Sequence, residues 1–167
     1  MNRSKKEFIE YLSDQDFDVL LTLPLAPHLH NKSQIDLSSL ISRLLVNIQR
    51  KIFTRKEIKQ LNYSLRVLPV SEDDKHYHFQ IKVPNCCKRL PQSDLKYLKF
   101  KSILEKEIHR MRLFDVYHFN YIKPLYVKYF KKIKCADENR RITKYMLKHD
   151  RSANLETIDI LNVNLAT

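Results

Sequence analysis

Glycine is absent from all 167 residues of this chain. Backbone that must pass close to a phosphate, or turn tightly at positive φ, uses glycine because it has no Cβ. The Walker loop, the dinucleotide fingerprint and the kinase glycine-rich loop are therefore all missing. Nucleotide-driven motors and nicotinamide enzymes go with them. Cysteine is scarce: Cys86, Cys87 and Cys135, an odd number with two adjacent and no CxxC spacing. Such a set suits neither a disulfide framework nor a structural zinc site, and points to a reducing, cytoplasmic compartment. No run approaches the ~20 apolar residues of a membrane span. The opening MNRSKKEFIEYLSDQDFD has charges where a secretory signal has an apolar core, so neither a leader nor an anchor is expected.

Acidic residues are outnumbered. Lys and Arg total 31 against 19 Asp and Glu, for a formal net charge of +12 and a pI near 9.6. A small chain this basic suits a polyanion. The basic residues are spread over many segments, not gathered on one amphipathic helix, which favours nucleic acid over a membrane surface. At 43% hydrophobic the chain can build a core. It carries no repeat, low-complexity tract or long linker, so a single domain over 1–167 is expected, with 1–14 a charged arm or helix and 151–167 a tail or edge strand.

Periodicity gives the elements. FDVLLTLPL alternates and stops at Pro24, which reads as a strand. From Asp36, taken as N-cap, Leu37, Leu40, Ile41, Leu44, Leu45, Ile48 and Ile52 repeat at helical spacing. Tyr63–Val70 and His76–Val83 alternate on either side of the turn-rich SEDDK, a β-hairpin closed by Pro84. Ser93 or Asp94 caps a helix with Tyr97, Phe100, Leu104 and Ile108 on one stripe, and a strand is expected over Val116–Ile122. CADENRR then opens a last helix running through Tyr145 to about His149. The order β-α-β-β-α-β predicts an α+β fold: a central antiparallel sheet of four to five strands, ferredoxin-like or RRM-like, helices on its faces and a C-terminal helix bearing a tyrosine.

Two constellations carry chemistry. In KHYHFQIKVP, strand alternation puts His76, His78 and Gln80 on one face and Tyr77, Phe79, Ile81 and Val83 on the other. Successive members of the first row stand about 7 Å apart, near enough for two imidazoles to converge on one ion, with Glu72 in the preceding turn as an oxygen donor. The bland alternative is a pair of surface histidines on a solvated hairpin. His28-Leu29-His30 has the same spelling but sits among Pro27 and Asn-Lys-Ser, where no strand holds it. On the last helix Tyr145 and Lys148 are three apart and share a side, a nucleophile beside a cation. A half-buried tyrosine with a solvated lysine is the ordinary reading of that pair. Tyr129 and Lys132 repeat the spacing inside the basic run YVKYFKKIKC, better suited to contacting phosphates and stacking on bases.

Taken in order, the apolar strand with Thr22, the helix, the HYH hairpin and the YxxK helix resemble the HUH endonucleases, in particular the single-tyrosine replication initiators and transposases. The likeness spans roughly residues 15–150. It implies that His76 and His78 ligate Mg²⁺ or Mn²⁺ with Glu72, that Tyr145 is the nucleophile and that Lys148 assists it. The activity implied is nicking and rejoining of single-stranded DNA, at an origin, an element end or a hairpin, through a 5′-phosphotyrosine link. A host helicase or polymerase would do the unwinding and copying. This chain departs from the family in its aromatic middle residue, Tyr77, and in a Glu72 that sits almost in the turn. A second register stays open, His78-Phe79-Gln80, with Gln80 as ligand. The rival function is a catalytically inactive basic module of the same fold: an origin binder, repressor or RNA binder. No RNP1-like glycine pattern supports the RNA variant.

Overall fold

A computed structural model describes residues 3–72, 76–85, 87–115 and 129–147, and within them the chain is α+β. The elements in order are α1 (Arg3–Ser13), β1 (Val19–Pro24), a 3₁₀ turn (Pro27–Leu29), α2 (Gln34–Ile52), α3 (Arg55–Gln60), β2 (Arg66–Glu72), β3 (His76–Lys82), α4 (Leu95–Met111), β4 (Phe130–Lys132) and α5 (Ala136–Met146). They gather into two compact units. One draws on Met1–Pro24, Arg66–Lys82 and Lys128–Thr167 and holds the sheet with α1 and α5. The other draws on Leu25–Leu65 and Val83–Val127 and holds α2, α3 and α4.

The sheet has four strands in the order β2-β3-β1-β4, every neighbouring pair antiparallel. Chain neighbours β1 and β2 are separated by β3, so the sheet is not a simple meander. Pro69 lies inside β2 and Pro24 ends β1; β2 is an edge strand, where a missing N–H is tolerated. The fourth described strand is one the alternation did not mark. Val116–Ile122 lies outside the described residues, as does everything from Lys148 onward, and β4 is instead Phe130–Lys132 of the basic run. Lysines masked its strand character, because an edge strand facing solvent tolerates them.

One sheet face presents Val19, Leu21, Leu23, Val67, Tyr77, Phe79 and Ile81, all buried. The other carries Leu68 and Val70, which form a core with Leu12 of α1, Met146 of α5, and Phe17, Ile133 and Leu147 beside them. Partly buried Phe8, Ile9, Leu20 and Ile142 pack around that core. The face bearing the histidine row is thus covered by helices at His78 and Gln80 and open at His76.

In the second unit α2 buries Leu37, Ile41, Leu44, Leu45, Ile48 and Ile52 of the stripe its periodicity marked, and leaves Leu40 half-buried. Its cap is Ser33, not Asp36: Ser33 Oγ accepts from the Asp36 N–H at 3.2 Å. Thr54 and Glu57 close a capping box on α3, an element the periodicity passed over because it spans six residues. The Glu57 carboxylate takes bonds from the Thr54 hydroxyl at 2.6 Å, the Thr54 N–H at 2.6 Å and the Lys88 N–H at 2.9 Å. Those bonds, the Thr54 hydroxyl's first, hold its pKa below the ordinary carboxylate value. Without glycine, left-handed backbone falls on other residues: Asn62 at φ 53° and Arg112, the C-cap of α4, at φ 51°. Asparagine tolerates that region; arginine does so against the Cβ clash.

Candidate functional site

β3 lies between β2 and β1, so its side chains have neighbours on both sides. His78 stands opposite Thr22 on β1 and Val70 on β2. Its ring is gripped at both nitrogens: Nδ1 is 3.0 Å from Thr22 Oγ1 and Nε2 is 2.6 Å from Glu72 Oε2. At 7% exposure His78 belongs to the interior, so it is not a surface histidine of a solvated hairpin. His76 is exposed at the strand's start, opposite Glu72.

Gln80 is fully buried and its amide is used at both ends. Nε2 donates to Asn139 Oδ1 at 2.8 Å, and the Thr143 hydroxyl donates to Oε1 at 2.9 Å. Asn139 in turn donates from Nδ2 to the carbonyls of Ser13, at 3.3 Å, and Gln15. A closed network of buried amides thus ties α5 to β3 and to the end of α1. This geometry gives Gln80 a structural partner for each polar atom. Asn139 and Thr143 were missed in the sequence. Their signal was present, a polar pair at i, i+4 one turn from buried Met146 on the inward face of α5.

The lock sets α5 against the sheet so that Tyr145 and His78 line one cleft of about 350 Å³. Thr22 and Leu20 share its lining with His78 on the sheet side. Glu138, Arg141 and Ile142 join Tyr145 from the helix, and Lys131 enters from β4. Tyr145 is 55% exposed. Lys131 Nζ is 2.6 Å from Glu138 Oε1, and the Lys134 N–H donates to Glu138 Oε2 at 2.7 Å. Together, the lysine side chain foremost, they hold the Glu138 carboxyl below its ordinary pKa. The cleft therefore offers a phenol, an imidazole and two cations, one of them paired.

The remaining sequence candidates separate. Lys148 lies outside the described residues, as does Cys86. His28 and His30 are exposed on the 3₁₀ turn and its edge, where His30 Nε2 is 3.0 Å from the Leu25 carbonyl oxygen. Tyr129 precedes β4, its carbonyl accepting from the Thr22 N–H at 3.0 Å. Among the described residues neither Cys87 nor Cys135 is in a disulfide.

For a divalent ion, the face offers the Glu72 carboxylate and the His78 imidazole in direct apposition, an oxygen–nitrogen pair of the kind first-row ions accept. Among the described residues no group of three or more His, Cys, Asp or Glu side chains is gathered for a metal. As they stand the two donors are bonded to each other at 2.6 Å, so an ion between them would have to replace that bond, and a closed all-protein cage does not fit. No helix among the described residues is long and apolar enough to cross a membrane. Comparison with protein-family models, with curated proteins and with solved structures finds no match to this chain.

Proposed function

We propose that this chain is a metal-dependent endonuclease and strand-transferase of the HUH type, acting on single-stranded DNA through a tyrosine-linked intermediate. One observation carries the reading: Tyr145 of the last helix and His78 of the central strand line the same cleft. The net charge of +12 and the missing glycine loops agree with a phosphodiester substrate and no nucleotide fuel.

Glu72 and His78 would hold Mg²⁺ or Mn²⁺, with exposed His76 at the open edge of the same face. An ion bound there supplies Lewis-acid charge to a phosphate oxygen. Thr22 fixes the ring of His78 from the far nitrogen, which keeps the donor oriented before substrate arrives. Tyr145 attacks phosphorus through its phenolic oxygen, and the bond from phosphorus to the 3′ oxygen breaks. The 5′ side remains on tyrosine as a phosphodiester. Net, the phenolic proton is transferred to the departing 3′ oxygen, leaving a 3′-hydroxyl. No bond energy is lost, so a 3′-hydroxyl can reverse the step and rejoin strands. Lys148, three residues beyond Tyr145, is proposed to stabilise the developing charge.

A second reading has one specific observation in its favour. The direct Glu72–His78 bond satisfies both groups without an ion, as it would in a non-catalytic DNA-binding module of this fold. The two readings part in a single assay. The protein is incubated with single-stranded DNA and Mn²⁺, denatured, and resolved by size. A nuclease gives a protein–DNA adduct that survives denaturant; a binding module gives a complex that does not.

A further inference from the structure

We infer that Arg141 is the phosphate-gripping residue of the cleft, the cation that seats the DNA backbone beside Tyr145. The inference deepens the proposed function and rests on it only for which phosphate is held. Arg141 and Tyr145 are four residues apart on α5 and so lie on one helix face, and both line the cleft. The two cleft cations differ in their state. Lys131 is engaged by Glu138 at 2.6 Å and is thereby pinned to the cleft wall. Arg141 is exposed, and among the described residues no carboxylate, carbonyl or ring holds its guanidinium. An unengaged guanidinium beside an exposed tyrosine presents a planar donor fork to an incoming anion, and phosphate accepts two of its N–H groups in parallel.

The adjacent Arg140 marks the contrast. Its Nε donates to Asp14 Oδ1 at 3.0 Å, it lies 3.9 Å from Asp137, and it lines a different cavity beside Ser13 and Gln15. One helix thus carries an arginine used for structure and, one position on, an arginine left for a ligand. Glu138 has a part in this arrangement. By neutralising Lys131 it leaves Arg141 as the stronger draw for a phosphate, which directs the backbone to the Tyr145 side of the cleft.

The test uses the full chain, without metal, binding a fluorescent oligothymidylate over a salt series. Arg141→Gln is expected to weaken binding about tenfold, the loss of one charge-assisted contact. It should also flatten the log–log salt dependence by about 0.7, the share of one phosphate contact on a single strand. Arg141→Lys keeps the charge but not the fork and should fall between. Arg140→Gln removes the same formal charge and should bind within about twofold of the parent, since Asp14 already neutralises it. If Arg141→Gln binds like the parent with an unchanged slope, or if Arg140→Gln loses as much, the inference is overturned. The proposed activity is scored separately. A parent protein that forms no adduct while Arg141→Gln still binds more weakly sinks the nuclease reading and leaves the phosphate seat standing. An adduct that Arg141→Gln forms at the parent's rate and affinity does the reverse.

Discussion

Replacing Asn139 by alanine tests whether the buried amide network positions the tyrosine helix. The side chain is 4% exposed, accepts from Gln80 and donates to the carbonyls of Ser13 and Gln15. The consequences for its partners differ. Ser13 and Gln15 border a cavity of about 420 Å³ that admits water, so their carbonyls can be rehydrated. Gln80 is fully buried and its Nε2 cannot be. One orphaned buried donor, at about 1–3 kcal/mol, plus about 1 kcal/mol for the exchanged carbonyl bonds, gives roughly 3 kcal/mol of destabilisation. For a chain of this size that lowers Tm by roughly 6–12 °C, measurable by urea unfolding or calorimetry. Gln80→Leu combined with Asn139→Leu removes both partners. The pair should be less destabilised than the sum of its singles by about 1–2 kcal/mol. An Asn139→Ala protein within about 0.5 kcal/mol of the parent, or a strictly additive pair, would refute the network's role.

Three further outcomes follow from single features. Arg112→Gly removes the Cβ clash at the left-handed C-cap of α4 and should stabilise by about 0.5–1 kcal/mol in urea melts, against the usual direction for glycine. Glu57 has a depressed pKa in the fold, so its contribution is complete above the ordinary carboxylate value and is lost as pH falls through the lower, folded one. Glu57→Gln should therefore lower stability near neutral pH and flatten the acid limb of a stability–pH curve; an unchanged limb would contradict the assignment. His78→Ala leaves Thr22 and Glu72 without their shared partner and should be destabilised by about 2 kcal/mol, whereas exposed His76→Ala should unfold with the parent.

What the sequence disclosed, and what it did not, follows from the kind of signal involved. The stripe of α2 and the alternation of β3 are long and apolar, and each folds as its period dictates because burial dominates the energetics. Motif order singled out Tyr145 and His78 separately; that both line one cleft is seen only in the fold. Three features were illegible for physical reasons. Alternation assigned His78 and Gln80 to one face but could not tell that α1 and α5 cover it, since polar residues on a buried face look like a solvated one until their partners are known. The partners, Asn139 and Thr143, come from 59 and 63 residues away. β4 was hidden by its lysines, and α3 by its length.

The central claim is that Tyr145 attacks phosphorus, and Tyr145→Phe tests it most directly. The ring is kept and only the attacking oxygen is removed. Tyr129→Phe is the control, the same change at the other tyrosine with a lysine three residues on. Each protein is incubated with single-stranded DNA and Mn²⁺, denatured, and its adduct mapped by peptide mass. The account predicts that Tyr145→Phe still binds DNA but forms no adduct, that Tyr129→Phe forms one, and that the nucleotide maps to the peptide containing Tyr145. An adduct that persists in Tyr145→Phe, or that maps to Tyr129, would contradict it.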